Sequence, residues 1–380
     1  MPRMISGSEF RELVSGRRRG LGAALTRAVL RVAEAPYAAA MRARNARYDD
    51  GRAIAHRVAA PVISVGNLTL GGVGKTPLVE WLARWLLARG VKVAIVSRGY
   101  GAEPAGRAPV GGDGRRSGLA DAGAQNDEAR ELAEKLPAAP HFQHRDRLLA
   151  CQAAIDEAGA ELLLLDDGFQ HRRLARDLDL ALVDACEPFG FEHVFPRGTL
   201  REPLAGVARA HAIALTRADM LPADERDAIR RRYQELAPAA AWLELWHRPA
   251  ALRSTTGEEI SPAALRGTRV AAVCGIGNPR GFRHTLDSTG CQLVAFREYP
   301  DHHRYTQRDL GELAAWADSM PAQAIVCTHK DLVKIPAERL GRKPLWALRV
   351  EAEITTGRAL LEGLLQALVD CRQPPRSLAA

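Results

Sequence analysis

The sequence is short of the residues that build metal frameworks and nucleic-acid platforms. Its six cysteines, Cys151, Cys186, Cys274, Cys291, Cys327 and Cys371, form no CxxC pair, and none sits near a histidine at zinc-finger spacing. A zinc framework is thereby excluded, and the thiols read as reduced core residues of a cytoplasmic protein. Aromatic residues make up only 5%, and no basic stretch is interleaved with them. Nucleic acid is therefore not an expected partner. No stretch reaches the roughly 18 continuous apolar residues of a membrane-spanning helix. No short basic start leads straight into an apolar run, so no signal peptide is expected. There is no internal repeat and no long linker.

A length of 380 residues suits two domains of moderate size, and 47% hydrophobic against 26% charged residues can build a core in each. The net charge of +8 favours anionic partners such as a phosphorylated substrate or a membrane surface. Arg17-Arg18-Arg19 precede an Ala-, Leu- and Val-rich stretch, Leu21 to Met41, which Arg27, Arg31 and Glu34 interrupt. Leu21, Ala24, Leu25, Ala28 and Val32 recur there at helical spacing. Two readings stand side by side: a helix packed on the domain, or an amphipathic helix lying on an anionic bilayer with its arginines at the headgroups.

Pro61 to Val65 is a short apolar, β-branched run and reads as a buried strand. A Gly-rich loop follows, then a helical apolar face of Leu78, Val79, Leu82, Trp85 and Leu86 that Gly90 ends. Val91 to Val96 is the next strand, expected parallel to the first across the helix. Gly101 to Ala124 carries no periodicity and reads as a flexible surface loop. Helices are expected over Ala129 to Leu136 and Leu148 to Ala158, and strands over Leu162 to Leu165, Leu180 to Val183 and Ala212 to Leu215. The sequence then reads as helix-rich to about Ala241. Strands at Val270 to Val273, Leu293 to Phe296 and Ala324 to Cys327 suggest a second, smaller α/β unit. Leu345 to Ile354 reads as a returning strand and Thr356 to Val369 as a last helix. The expected fold is α/β: a P-loop NTPase-like parallel sheet flanked by helices, with that smaller α/β unit and an N-terminal amphipathic helix.

The chemistry begins at Thr69-Leu70-Gly71-Gly72-Val73-Gly74-Lys75-Thr76. A phosphate cradle needs backbone N–H groups that converge on an anion, a helix N-terminus behind them, a lysine and a hydroxyl. Here Lys75 suits the β- and γ-phosphates of ATP and Thr76 suits Mg²⁺. The generic motif has glycine where this loop has Thr69, but strand, loop and helix follow in the required order. Asp166-Asp167 end an apolar strand, the usual place for a carboxylate that holds Mg²⁺, and two adjacent like charges need a cation nearby. His171 follows at the C-terminal end of that strand, where α/β folds bind ligands. Arg172 and Arg173 read as solvated. Asp127-Glu128 precede a helix and read either as an N-cap acid or as a catalytic carboxylate that accepts a hydroxyl proton; the residues alone leave both open. Asp301-His302-His303 lack a third ligand spaced for zinc. Thr216-Arg217-Ala218-Asp219 and Thr328-His329-Lys330-Asp331 resemble a base-reading element of P-loop proteins, or are strand-end turns.

From about Val62 to Lys334 the chain resembles the tetraacyldisaccharide 4'-kinase family, the lipid A 4'-kinases. The carriers are SVGNLTLGGVGKTP (64–77), SRGYG (97–101), NDEA (126–129), DDGFQHRRLARDLDL (166–180), FPRGTLREPL (195–204), LTRAD (215–219), CGIGNPRGF (274–282), PDHHRY (300–305) and THKD (328–331). The family's loop also has threonine at position 69, which removes the misfit. The resemblance implies transfer of the ATP γ-phosphate to the 4'-hydroxyl of a tetraacylated disaccharide 1-phosphate. It implies two α/β/α units, with residues 1–48 as a membrane-associated helical segment, 49–245 as the kinase core, 246–345 as the second domain and 346–380 returning to the core. It also implies a peripheral enzyme on the anionic cytoplasmic face of the bacterial inner membrane.

By the same resemblance, Asp127 is the catalytic carboxylate, paired with His302 across the cleft, and Lys75 stabilises the transferring phosphoryl charge. Thr76, Glu128 and Asp166 serve Mg²⁺. Asp167, His171 and Arg201 line the acceptor side. Two departures stand out: the family usually has G-D-E-P at 126–129 and often T-E-K-D at 328–331. The acids survive, while any role for position 329 is weakened. The rival is a membrane-associated P-loop ATPase switch of the partitioning and division-site type. Those proteins carry a second lysine one residue before the glycine pair, where this chain has Leu70.

Overall fold

The computed structural model of the chain describes residues 7–98 and 127–371, apart from the side chains of Ser8, Asp127 and Glu128. The loop expected over Gly101 to Ala124 lies outside them, as do Gly99 to Gly101 of the SRGYG segment and Asn126. Two helices come first, α1 (Gly7–Val14) and α2 (Leu21–Asp49). The apolar run then forms β1 (Val62–Asn67), buried throughout, and Gly74 caps α3 (Lys75–Leu87). There follow β2 (Val93–Ser97), α4 (Asp127–Lys135), β3 (His141–Gln143), α5 (Arg147–Ala158), β4 (Leu162–Asp166) and β5 (Leu178–Asp184). β6 (Ala212–Thr216), α6 (Ala223–Leu236) and β7 (Ala241–Arg253) complete this stretch. The remaining strands are β8 (Glu259–Ile260), β9 (Arg269–Cys274), β10 (Gln292–Glu298), β11 (Ala324–Thr328), β12 (Arg339–Leu340) and β13 (Lys343–Thr356). Between them lie α7 (Pro279–Asp287), α8 (Gln307–Ser319) and the short α9 (His329–Leu332), and α10 (Arg358–Asp370) ends the described chain.

Two compact units divide the chain. The larger runs from Leu13 to Leu245 and resumes at Ile354; the smaller comprises Trp246–Glu353 with the described residues up to Glu12. The divisions thus fall inside β7 and inside β13.

In the larger unit the strands lie in the order β7-β6-β5-β1-β4-β2-β3, all parallel. β1 and β2 are parallel as expected, but β4 lies between them. The chain leaves β1 towards β2 and leaves β4 towards β5, so the two connections depart in opposite directions. That reversal opens a crevice at the carboxyl ends of β1 and β4, where ligands of open α/β sheets bind. β1, β4 and β5 are buried along their whole length, as central parallel strands covered on both faces are. α5 packs Ala150, Cys151 and Ala154 against Ala94, Val96, Leu163 and Leu165.

In the smaller unit β10-β9-β11-β13 are parallel, with β12 antiparallel on β13 and β8 antiparallel on β7. α8 and its capping box at Thr306 cover one face through Leu313 and Ala317, and α7 covers the other through Phe282 and Leu286. The helix-rich sequence expected to about Ala241 is followed by the long strand β7, Ala241–Arg253, for which no strand was expected.

Candidate active site

Two glycines bring the Asp166-Asp167 turn against the loop. A Cβ on Gly66 would meet Phe169 N at 2.5 Å, and one on Gly168 would meet Ser64 Oγ at 2.6 Å. Only glycine allows this approach, so the turn after β4 seats directly on β1. Asp166 is buried at the end of β4, paired in register with Val65. Asp167 takes a left-handed φ of 54°, which swings its carboxylate out of the strand line.

That carboxylate meets two cations. Lys75 Nζ lies 3.2 Å from Asp167 Oδ1, and Arg201 Nη1 donates to both oxygens at 2.9 and 3.0 Å. Burial alone would raise the Asp167 pKa, but Lys75 and then Arg201 outweigh it and hold the carboxyl well below the usual range. The compensation expected for the acid pair thus comes, for Asp167, from side chains. Lys75 Nζ also donates to Asn67 Oδ1 at 3.1 Å.

The 195–204 segment holds the other side of the loop. Leu70 N donates to Thr199 O at 2.7 Å, Arg201 N donates to Leu68 O at 2.6 Å, and Thr69 bridges Leu200. Behind it the buried Glu202 accepts from Asn45, Gln170 and Arg209, and Gln170 Nε2 also donates to Asn67 O at 2.9 Å. Sequence reading assigned no role to Asn67, Gln170 or Glu202, although all three stand in the motifs that carried the resemblance.

His171 is half-buried, and its Nε2 is buried without a hydrogen-bond partner among the described residues. Burial, and next the Arg147 charge, push its pKa down to about 4, so the ring is neutral at pH 7. Arg147 was not singled out from sequence. It is buried at the start of α5, within electrostatic reach of Asp167, Asp166 and His171.

Arg172 is not solvated, contrary to the expectation. It donates to Asn45 O at 3.0 Å, pairs with Asp49 at 2.5 Å and stacks over Tyr48, all on α2. Arg173 pairs with Asp146, the N-cap of α5, at 3.0 Å. Tyr37 donates to Arg201 O at 3.0 Å and Asn45 Nδ2 to Glu202 at 2.6 Å, so the later turns of α2 join the site. On its first turns an apolar stripe faces outward: Leu21, Leu25, Val29 and Val32 are 91%, 69%, 61% and 75% exposed. No helix among the described residues is long and apolar enough to cross a membrane.

Thr76 is the second residue of α3 and half-buried. The backbone of Asp127 opens α4, while the side chains of Asp127 and Glu128 lie outside the described residues. In the smaller unit His302 is exposed at a left-handed φ of 58°, with Lys330 Nζ 3.4 Å from its Nε2. Asp331 of the THKD element is fully buried and engaged by Thr328, Gly275 N, Tyr305 and Lys334. Those bonds leave its carboxylate a structural part of a strand-end turn. The TRAD element is likewise a turn at the end of β6.

The family profile described as Tetraacyldisaccharide-1-P 4'-kinase matches residues 26–369. A protein of Anaeromyxobacter sp. (strain K) named Tetraacyldisaccharide 4'-kinase is 41% identical over 356 residues, 93% of each chain. One of the same name from Desulfotalea psychrophila is 37% identical over 320 residues, covering 84% of this chain and 91% of its own. A crystal structure of "apo" form LpxK from Aquifex aeolicus in complex with ATP superposes with a TM-score of 0.67 at 29% identity, covering 90% of this chain and 99% of its own.

Proposed function

This chain belongs to the tetraacyldisaccharide-1-P 4'-kinase family, and we propose from that premise how its own residues serve the reaction. The protein is an ATP-dependent lipid kinase that transfers the γ-phosphate to the 4'-hydroxyl of tetraacyldisaccharide 1-phosphate, using ATP with Mg²⁺. The single observation that supports the assignment of roles is the cluster Lys75–Asp167–Arg201 at the reversal between β1 and β4.

Phosphoryl transfer leaves positioning and charge neutralisation to the protein. Residues 69 to 76 hold the phosphates through backbone N–H groups and the start of α3. Lys75, held by Asp167 and Asn67, supplies the positive charge that the γ-phosphoryl needs. Thr76 and Asp166 offer the hard oxygen donors that Mg²⁺ takes, with Glu128 as third member. One or two carboxylates suffice for an ion that keeps waters and phosphate oxygens, so this sparse set fits. Bound there, the ion neutralises charge on the phosphoryl oxygens. Asp127 accepts the proton of the 4'-hydroxyl as the new bond forms, and His302 is assigned to catalysis as an imidazole. Arg201, Asp167 and the neutral His171 serve the disaccharide side of the site.

The exposed stripe Leu21, Leu25, Val29 and Val32, beside the exposed Arg17, Arg18 and Arg19, supports docking of α2 on an anionic leaflet. We place the enzyme accordingly at the cytoplasmic face of the inner membrane, with lipid rather than nucleic acid as its anionic surface. The test uses γ-labelled ATP, Mg²⁺ and the disaccharide 1-phosphate in detergent micelles. Label enters the lipid with the unaltered protein and not with Lys75→Ala. ATP hydrolysis stimulated by bare anionic vesicles, with no labelled lipid, would instead favour the switch ATPase.

A further inference from the structure

A phosphate loop works only if its N–H groups face the anion, which requires its carbonyls to face away. Glycine peptides flip easily, so a loop containing Gly71, Gly72 and Gly74 does not set that orientation by itself. In this chain two of the carbonyls are held from outside, by the end of β6. Thr216 Oγ1 donates to Val73 O at 2.7 Å, and Arg217 Nη2 donates to Gly72 O at 2.8 Å. The threonine hydroxyl has one proton, and Val73 O is its nearer acceptor, since Val183 O stands at 3.2 Å. Thr216 is fully buried, and Arg217 nearly so.

Arg217 is itself fixed. Its Nη1 pairs with Asp184 Oδ2 at 2.8 Å, and Asp184 ends β5 in register with Thr216. Its backbone adopts a left-handed φ of 55°, a conformation a non-glycine residue keeps only when its surroundings impose it. In a trans peptide the N–H points opposite to the C=O. Anchoring Val73 O on β6 therefore aims the Gly74 N–H away from β6, at the head of α3. Anchoring Gly72 O sets the Val73 N–H back on Gly71 O, 3.1 Å away, and closes the loop tip.

We propose that Thr216, Arg217 and Asp184 are positioning residues for ATP: Thr216 turns the Val73 carbonyl outward and so aims the Gly74 N–H at the phosphate, while Arg217, held by Asp184, keeps the Gly72–Val73 tip closed, and the loop is arranged before ATP arrives. The inference rests on the reading of residues 69 to 76 as the phosphate site. It gives the TRAD element a task other than base recognition.

The test compares Thr216→Val, which keeps the shape and removes the donor, with Thr216→Ser, which keeps the donor. Lys75→Ala and Arg217→Lys are assayed beside them. KM for each substrate, kcat, equilibrium ATP binding without lipid, and the thermal midpoint are measured. Thr216→Val should weaken ATP binding and raise the ATP KM about tenfold, the size of one lost hydrogen bond, leaving the lipid KM unchanged. Thr216→Ser should restore both. Arg217→Lys, which keeps the charge beside Asp184 but loses the forked donor, should also raise the ATP KM. Wild-type ATP affinity in Thr216→Val, or equal loss for both substrates, overturns the proposal while an inactive Lys75→Ala leaves the phosphate site standing. Should Thr216→Val not fold, an unchanged ATP KM in Arg217→Lys overturns it equally. A fully active Lys75→Ala would remove the phosphate-site reading itself.

Discussion

Lys75 Nζ and Asp167 Oδ1 stand 3.2 Å apart, a cation from the head of α3 against an acid from the turn after β4. Removing the acid takes the carboxylate from both Lys75, which keeps Asn67, and Arg201, which keeps Gln170. Asp167→Asn should lower kcat by about tenfold or more, as expected when a charged positioning group is lost. Steady-state kinetics with both substrates check it; unchanged kcat would take Asp167 out of the site.

The same acid sets a pH dependence. Its folded pKa lies below the unfolded value of about 3.9. The unfolded state therefore binds more protons as pH falls past that value, and the stabilisation is complete above it and lost below. Thermal midpoints measured from pH 5 to 3 should fall more steeply for the unaltered protein than for Asp167→Asn. Parallel curves would show that the ion cluster contributes nothing.

His141 responds to acid in the same direction, but in a higher pH window. It is buried beside Ser97, and burial pushes its pKa down to about 4 from an ordinary 6.5. It is neutral when folded, while the unfolded chain protonates first. Stability is full above about pH 6.5, declines as pH falls through that value, and reaches its floor near 4. His141→Gln should flatten the midpoint curve across that window. An equally sloped curve would place the acid sensitivity elsewhere.

Asp127→Ala should cut turnover by roughly 10²- to 10⁴-fold, the contribution of a positioned general base, while ATP still binds. Single-turnover assays with labelled ATP give the rate, and equilibrium dialysis gives the binding. A near-normal rate would remove Asp127 from the mechanism.

Lys135, at the far end of the helix that Asp127 opens, is buried between Glu131 at 2.8 Å and Glu80 of α3 at 3.2 Å. Lys135→Met would take the buried ammonium from Glu131 and leave Glu80 with Arg84, 2.9 Å away, as its ion partner. A loss of about 3–5 kcal/mol in urea unfolding is expected, as for breaking a buried pair. A loss under about 1 kcal/mol, the size of an exposed pair, would show that water reaches the triad.

Much of this was legible in the residues themselves. An apolar β-branched run, a glycine loop and a helical apolar face identify β1, the phosphate loop and α3, because each is a local pattern with a local period. The motif DDGFQH marked the turn after β4, which meets Lys75, for the same reason. The loop's partners at Thr199 and Thr216 were not legible, since Thr216 lies 143 residues from the Val73 carbonyl it holds. Nor was the role of Arg172, which ties DDGFQHRR to α2 through Asn45 and Asp49.

By itself, the sequence determined the family, and the glycine loop and acids proposed for the site stand in its motifs, since patterns at short spacing survive without coordinates. Only the tertiary structure decided which charges meet. β1 lies between β4 and β5, so the loops after β1 and β4 share one crevice and β6 stands within reach of the phosphate loop. Strand order is set by long-range burial of whole sheet faces, which no local spacing encodes. The pairing of Lys75 with Asp167, the bracing by Thr216 and Arg217, and the anchoring of α2 through Arg172 all follow from that order.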